Sequence, residues 1–168
     1  AAHHNATCLG LRAANIYDIN PKTYLVKLAR GDQKHFVLLE SGVRIHTTRY
    51  SRTKGKLPSV FAIKLRKHIR SKRLETVRQL GIDRIVDFVF GSGEATCHLI
   101  VELYSNGNVI LTDNEYRILT LLRRHKFDDG ELISVGQVYN CDRYLTLRNI
   151  GPDTARELLS ESRAVAPV

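Results

Sequence analysis

The side chains in this sequence whose types and spacing most clearly suggest chemistry are the adjacent carboxylate and guanidinium of Asp83 and Arg84. A neighbouring carboxylate orients an arginine, and an oriented guanidinium binds a phosphate or a base edge through two hydrogen bonds. The alternative is a structural ion pair at the start of a strand, which is common and weak on protein surfaces. From these two residues alone, the structural interpretation is the more frequent one.

Positive charge is concentrated in one part of the chain. The sequence of 168 residues has a formal net charge of +9. Between Val43 and Arg84 there are 13 Lys and Arg residues against two acidic ones, Glu75 and Asp83. An excess of this kind attracts anionic partners, and nucleic acid is the first to consider. A basic surface that only aids solubility is the alternative, and the clustering favours a binding face.

The same stretch predicts a basic helix from Pro58 to about Arg73. Proline is favoured in the first helical turn, and Phe61, Leu65 and Ile69 recur at intervals of four and form a narrow apolar side. The candidate RNA-binding residues around that side are Lys64, Arg66, Lys67, Arg70, Lys72 and Arg73. Such cations contact phosphate and give salt-dependent affinity without sequence specificity. For any one of them, a solvated helix face is an equal alternative.

Arg44 and His46 are two further candidates for RNA contact. They belong to a strand-like run, residues 43–48, whose hydrogen-bonding side chains could meet RNA phosphate or ribose. A strand end that satisfies its own backbone is a slightly more frequent explanation of the same residues. The sequence therefore names these positions without deciding between the two.

Metal, cofactor and enzymatic chemistry have no motif in this sequence. The three cysteines, Cys8, Cys97 and Cys141, are far apart and form no CxxC pair of the kind that binds zinc. No Ser/His/Asp or Cys/His constellation can be assigned. We therefore expect no cofactor, no metal and no catalytic activity. Since no run approaches the roughly 18 apolar residues that span a bilayer, we also expect no membrane partner and a cytoplasmic location, with the nucleus as a second one.

Short apolar runs separated by turn residues predict an antiparallel sheet. Strands are expected at residues 15–17, 24–26, 35–39, 43–48, 84–90, 97–104 and 108–112, and a further strand is favoured over a short helix at 116–124. Asn106-Gly107 is a strong hairpin signal because both residues accept a positive φ. The predicted fold class is α+β, an antiparallel β-sandwich flanked by one or two helices.

The C-terminal stretch changes character. Asn149 to Ala155 resembles a helix-hairpin-helix turn, and Asp153 and Thr154 could cap a short helix. We expect a β-sandwich domain at residues 1–135, followed by an extension at 136–168 that could begin a helix-hairpin-helix region. This turn also suggests an alternative function, a DNA-binding or glycosylase-like DNA repair module.

Several strings in a fixed order together resemble the N-terminal (NFACT-N) domain of the NEMF/RqcH family of ribosome-associated quality-control factors, over roughly Ala6 to Arg124. They include NIYD at 15–18, LLESGVRIHTT at 38–48, QLGIDRIVDF at 79–88 and GNVILTD at 107–113. The resemblance implies a fold similar to the N-terminal domain of formamidopyrimidine-type DNA glycosylases.

The same resemblance implies a function and a set of partners. Family members bind the large ribosomal subunit that carries a stalled peptidyl-tRNA, and they recruit tRNA to extend the stalled chain with a C-terminal tail. An Asp-Arg pair in a G-x-D-R-[IV]-V setting is implicated in tail synthesis, and here it is Asp83-Arg84. The implied partners are tRNA, RNA of the large ribosomal subunit and, in the full-length protein, a ubiquitin ligase of the quality-control complex.

Overall fold

The computed structural model describes residues 8–49, 53, 57–126 and 132–141. The elements in this part of the chain are the strands β1 (Arg12–Asn20), β2 (Thr23–Arg30), β3 (Gln33–Glu40) and β4 (Arg44–Thr48), the helix α1 (Val60–Ile69), and the strands β5 (Leu74–Gln79), β6 (Ile85–Phe90), β7 (Cys97–Glu102), β8 (Asn108–Thr112), β9 (Ile118–Leu121), β10 (His125–Lys126) and β11 (Leu132–Ile133). The fold is α+β and mostly antiparallel, as the sequence predicts. Along the described segments no helix is long and apolar enough to cross a membrane.

The strands β1 to β9 form two meanders, in which each strand pairs with the next one along the chain, and β10 pairs with β11 in a separate two-stranded sheet. The first sheet has the order β1-β2-β3-β4, and the second has the order β5-β6-β7-β8-β9. Every one of these neighbouring pairs is antiparallel. The strand predicted at 116–124 is confirmed in the shorter form of β9. The strand β5 was not predicted, since the sequence ends the expected helix at about Arg73 and assigns no element to residues 74–81.

One face of each sheet lies in a shared apolar core. The first sheet contributes side chains such as Val26 and Leu39, and the second contributes Phe88, Leu99 and Leu111. Burial of apolar surface on this scale is the main stabilising term of such a fold. The sheets therefore pack face to face, which is the arrangement that a sandwich requires.

Backbone hydrogen bonds join the two sheets at the start of β1. The Ala13 amide donates to the carbonyl of Lys72 at 2.9 Å, and the Leu74 amide donates to the carbonyl of Leu11 at 2.8 Å. Arg12 and Arg73 are paired across this junction. The junction also fixes the direction in which the chain leaves α1, because the Ser71 amide donates to the carbonyl of Ala13 at 2.8 Å.

The helix α1 is shorter than predicted, at ten residues. It begins at Val60, so Pro58 lies before the helix and not in its first turn as predicted. Ser59 caps the helix, and the Ser59 hydroxyl accepts from the Ala62 amide at 3.1 Å. Asp18 on β1 accepts from the Ser59 amide at 2.8 Å, which places a carboxylate at the positive end of the helix. The helix ends at Ile69 because Arg70 is extended.

The residues after α1 are therefore not helical, which corrects the predicted helix end at Arg73. Ser71 has a φ of 69°, a left-handed conformation that interrupts a right-handed helix. Leu65 and Ile69 are fully buried, as the predicted apolar side requires, whereas Phe61 is half-buried and packs edge-on against the Tyr24 ring at 5.2 Å.

Two turns dock against each other where the sheets meet again. The Gly42 amide, between β3 and β4, donates to the carbonyl of Glu102 at 3.1 Å. Gly107, between β7 and β8, lies so close to Gly42 that a Cβ added at Gly107 would collide with the Gly42 nitrogen and Cα. The Arg123 guanidinium binds both turns, donating to the Ser41 hydroxyl at 3.1 Å and to the Gly107 carbonyl at 2.8 Å.

A second, smaller core covers the outer face of the second sheet. Ile100, Ile110 and Ile118 on that face pack against Ile133 and Tyr139, which come from the segment after β10. This segment also bonds to the edge of the sheet. The Ile118 amide donates to the carbonyl of Gln137 at 2.7 Å, and the Tyr139 amide donates to the carbonyl of Tyr116 at 2.8 Å. The second sheet is therefore buried on both faces.

The predicted domain boundary at residue 135 stays a prediction. Residues 142–168, with the helix-hairpin-helix resemblance at Asn149 to Ala155, lie outside the described residues.

We expect Gly107→Ala to lower the free energy of unfolding by about 3 kcal/mol, because a side chain at a φ of 63° is strained and the added Cβ overlaps the Gly42 backbone. Chemical denaturation measures this change. Gly31→Ala is the matched control, since Gly31 has a φ of 57° with no atom within 4 Å of the added Cβ. If both variants lose the same stability, the close approach of the two turns contributes nothing.

Glu102 generates a prediction on pH, because burial raises its pKa above the ordinary value of 4.5. The folded state then binds this proton more tightly than the unfolded state does. The resulting stabilisation is complete below the unfolded pKa and is lost as the pH rises through the folded pKa. Glu102→Gln does not titrate and still accepts from the Tyr139 hydroxyl, which lies at 2.9 Å in the native protein. We expect its unfolding free energy, measured relative to wild type, to increase between pH 4 and pH 8.

Glu115→Gln, a substitution at an exposed position, is the control for the Glu102 prediction. A relative stability of Glu102→Gln that is flat or falling across that pH range would contradict the burial effect.

Candidate nucleic-acid interface

Three of the six cations predicted to surround α1 are held by other parts of the fold. Arg66 Nε donates to the carbonyl of Ile16 at 2.7 Å, and its guanidinium lies 5.8 Å from the centre of the Tyr17 ring. Lys72 Nζ lies 2.9 Å from Cys97 Sγ. Arg73 pairs with Glu75 at 3.2 Å. These three residues anchor the helix and the chain that follows it.

The other three cations are exposed and available. Lys64, Lys67 and Arg70 make no ion pair or side-chain hydrogen bond within the described part of the chain. Lys64 and Lys67 lie on the helix face opposite the buried residues Leu65 and Ile69. A solvated helix face would expose the same residues as a phosphate-binding face. The positive charge of Lys64 and Lys67 is the observation that favours a polyanionic partner.

Arg12 joins this group, although nothing in the sequence places it there. Its backbone pairs with Arg73 across the junction of the sheets, and its Nη1 donates to the carbonyl of Ser71 at 2.7 Å. Arg12 and Arg70 are both exposed and flank Ser71. We define the basic end of the protein as Arg12, Lys64, Lys67 and Arg70.

The charges around α1 also affect the pKa of His68. Burial lowers its pKa, and the positive charges of Lys67 and Lys72 lower it further. Two exposed apolar side chains, Val60 and Ile63, share the helix face with the lysines. The face therefore offers apolar contact area between its cations.

Arg44 and His46 lie elsewhere. They are on β4, which is at the opposite edge of the first sheet from β1, the strand that carries Arg12. Three strand spacings separate these edges, roughly 14 Å. Arg44 is paired with Glu40 at 2.8 Å, and His46 Nδ1 lies 2.9 Å from the carbonyl of Thr47. The structure therefore does not bring these two candidates together with the helix cations.

His46 instead lines an apolar groove between the edge strands β4 and β5, with a volume of about 460 Å³. Val37, Ile45, Val77 and Phe88 form much of its wall. Arg78 also lines the groove, but the other described lining residues include no lysine or arginine, so the groove is not part of the basic end.

Asp83 and Arg84 form the exposed turn between β5 and β6. The turn has a fixed backbone, because Gln79 Nε2 donates to the carbonyl of Asp83 at 2.9 Å and the Leu103 amide donates to the carbonyl of Arg84 at 2.7 Å. Their side chains form no ion pair with each other or with another described residue. The structural ion pair that the sequence suggests is therefore absent from the described residues, and both charged groups face solvent.

The carboxylate that does orient an arginine on this hairpin is Asp87. It is fully buried, and its Oδ2 accepts from Nε of Arg78 on the neighbouring strand at 3.0 Å and lies 3.0 Å from Arg78 Nη2. His98 Nδ1 lies 3.1 Å from both carboxylate oxygens, and the Tyr116 hydroxyl donates to Oδ2 at 3.2 Å. Arg78 Nη2 also donates to the Tyr116 hydroxyl. We call these four residues the Asp87 network.

The members of the Asp87 network contact one another closely, and some of them shift the pKa values of others. The rings of His98 and Tyr116 are stacked, with centroids 4.1 Å apart. Burial raises the pKa of the Tyr116 hydroxyl far above its usual range, and the Asp87 carboxylate raises it further. Burial alone would lower the pKa of Arg78, but Asp87 and Tyr116 outweigh it and the pKa is raised. Sequence reasoning missed this network because its members come from four separate strands and loops.

Metal binding has no site in the parts of the chain described here. No group of three or more His, Cys, Asp or Glu side chains is placed to hold an ion.

The comparisons with known proteins first establish the family to which this domain belongs. The family model for NFACT N-terminal and middle domains matches residues 5–142, so the chain belongs to that family. The resemblance seen in the sequence is thereby confirmed.

Individual proteins of this kind are similar to the chain over most of its length. The chain is similar to the ribosome quality control complex subunit NEMF of Homo sapiens, with 49% identity over 99% of this chain and 15% of that protein. It is also similar to the ribosome quality control complex subunit 2 of Schizosaccharomyces pombe, with 43% identity over 85% of this chain and 14% of that protein. The chain thus spans about 15% of the length of these curated relatives.

Solved structures agree on the fold. The N-terminal part of the fibronectin/fibrinogen-binding protein of Streptococcus suis matches with a TM-score of 0.73 and 27% identity, over 83% of this chain and 57% of that one. The N-terminal domain of the fibronectin-binding protein PavA of Streptococcus pneumoniae matches with a TM-score of 0.73 and 20% identity, over 97% of this chain and 82% of that one. These neighbours are NFACT-N-like domains, and the similarity to glycosylases receives no support from them.

Proposed function

We propose that this chain is the RNA-facing module of a ribosome quality-control factor. In this role it binds the large ribosomal subunit with a stalled peptidyl-tRNA and supports tRNA recruitment for C-terminal tailing of the nascent chain. The observation that carries the proposal is the basic end, where Arg12, Lys64, Lys67 and Arg70 are exposed and unneutralised by described acidic residues, in a domain whose relatives are named as quality-control subunits.

The physical argument for RNA is electrostatic. Cations that make no internal ion pair are free to replace the counterions of a phosphate backbone, and the released counterions supply the affinity. Arg66 and Lys72 are assigned to the fold and not to RNA, because they are half-buried as well as bonded internally, and Arg73 is assigned to the fold because Glu75 neutralises it. Arg44 and His46 are assigned a minor role at most, since they lie at the opposite edge of the first sheet.

The Asp83-Arg84 turn supplies the second part of the proposal. Its fixed backbone and free side chains present a carboxylate and a guanidinium to a partner without the cost of breaking an internal pair. A carboxylate repels phosphate, so the partner group that meets Asp83 is a hydrogen-bond donor such as an exposed base edge, while Arg84 donates to a phosphate or a base. These two residues are proposed to support tRNA recruitment. The ubiquitin ligase is proposed as a partner of the full-length protein.

Replacing Lys64, Lys67 and Arg70 by alanine is expected to weaken binding to purified large ribosomal subunits about tenfold at moderate salt. The same variant is expected to reduce the dependence of log K on log salt by about two to three, roughly one for each phosphate that it no longer binds. Co-sedimentation across a salt series measures both values.

The matched control for this variant removes three exposed cations from the first sheet, Lys22, Arg30 and Lys34, none of which has an ion pair among the described residues. Equal losses in the two triple variants would mean that binding follows net charge only, and an unchanged affinity in the helix variant would remove the basic end from the interface.

Asp83→Ala combined with Arg84→Ala is expected to leave the free energy of unfolding, measured by thermal unfolding, unchanged within about 0.5 kcal/mol. Neither side chain has a partner to lose among the described residues. In cells whose full-length protein carries both substitutions, tailing of a stalled reporter is expected to be lost. Arg84→Lys keeps the charge but not the planar fork, so it is expected to restore tailing only in part. Normal tailing by the double variant would overturn the assignment.

A further inference from the structure

The Asp87 network leaves one edge of the Arg78 guanidinium unused. Nε and Nη2 are occupied by Asp87 and Tyr116, whereas no described residue accepts from Nη1. The Asp87 side chain is 0% exposed, but the Arg78 side chain is 49% exposed. A guanidinium whose plane is fixed on one edge and whose other edge meets solvent is preorganised to bind an anion.

A purely structural role explains only part of this arrangement. A buried carboxylate needs compensating hydrogen bonds, and Asp87 already receives them from His98 Nδ1 and the Tyr116 hydroxyl. Arg78 neutralises this buried charge and so stabilises the fold, but the pair uses only its Nε and Nη2, and its side chain is half in water. The rigid ring stack of His98 on Tyr116 then acts as a platform that keeps the Asp87 oxygens, and through them the guanidinium, in one orientation.

The position of Arg78 connects it to the Asp83-Arg84 turn. Arg78 and Asp87 are cross-strand partners on β5 and β6, and the turn begins two residues beyond Arg78, where the Leu80 amide donates to the carbonyl of Ile85 at 3.0 Å. Two residues of strand span about 7 Å. A ribonucleic acid that reaches Arg84 therefore passes within reach of Arg78.

We propose that Arg78 is a phosphate-binding residue for RNA on the β5–β6 hairpin, with Asp87, His98 and Tyr116 as the positioning residues that orient it. This inference rests on the proposed function, since it names a further contact of the same RNA partner. It adds a directed phosphate contact beside the Asp83-Arg84 turn. Phosphate contacts of this kind fix the register of an RNA, so that base contacts at the turn can act on the intended nucleotide.

The test uses the 168-residue chain, purified large ribosomal subunits carrying peptidyl-tRNA, and a salt series. Arg78→Gln keeps a hydrogen-bond donor for Asp87 but removes the charge. It is expected to weaken binding about fivefold and to reduce the dependence of log K on log salt by about one, the value for a single phosphate. Arg78→Lys keeps the charge without the fork, and it is expected to weaken binding about threefold with the salt dependence unchanged. Arg30→Gln, which removes an exposed arginine on β2, outside the β5–β6 hairpin, is expected to change neither value.

Asp87→Asn tests the positioning role. Arg78 stays charged but loses its oriented partner, so binding is expected to weaken about threefold while the salt dependence stays at the wild-type value. If Asp87→Asn unfolds the protein, Tyr116→Phe takes its place, because it removes two hydrogen bonds from the network, one to Asp87 and one from Arg78, and keeps the ring stacked on His98.

The outcomes separate this inference from the proposed function. If Arg78→Gln lowers the melting temperature but leaves affinity and salt dependence at wild-type values, Arg78 is structural and the inference fails, while binding that depends on Lys64, Lys67 and Arg70 keeps the proposed function. If the wild-type chain does not bind the subunits at any salt concentration, the proposed function fails and the inference fails with it. A reduced salt dependence in Arg78→Gln but not in Arg30→Gln supports the phosphate contact.

Discussion

The backbone hydrogen bonds between the start of β1 and the chain that leaves α1 constrain most of what this domain can do. They connect Leu11 and Ala13 to residues 71–74, and so they tie the first sheet to the second. Because α1 ends at this junction, the same bonds fix the end of the helix. The position of the basic end, and the starting point of the hairpin that carries Asp83 and Arg84, both follow from a few backbone contacts that involve no functional side chain.

The shared core determines which cations remain available to a partner. A helix that packs against a sheet needs long side chains at its margins, and arginine and lysine serve there with their apolar stems while their heads bond to backbone oxygens. Arg66 does this with the carbonyl of Ile16. The cations left over are those that point away from the core. Net charge alone therefore overstates the binding surface, and the burial and internal partners of each cation reduce six candidates on one stretch to three.

Sequence predicted the elements whose signals are local. The turn signal of Asn106-Gly107 and the apolar spacing of Leu65 and Ile69 depend only on neighbouring residues, and β7, β8 and α1 were found from them. The edge strand β5 was missed because only Leu74 and Val77 in it are apolar, and their spacing of three lacks the alternation that indicates a strand. Ser71, with its left-handed backbone, ends that helical pattern, but a serine carries no sequence signal for such a conformation.

The candidate site shows the same division between local and long-range information. Adjacent in sequence, Asp83 and Arg84 suggested a carboxylate that orients a guanidinium. In an extended or turn backbone, however, consecutive side chains point in different directions, so adjacency is a poor way to make such a pair. Cross-strand neighbours lie side by side on one face, and this is where the fold makes the pair, between Arg78 and Asp87. The chemistry inferred from the sequence is therefore present on the hairpin, but strand register assigns it to residues that no motif marks.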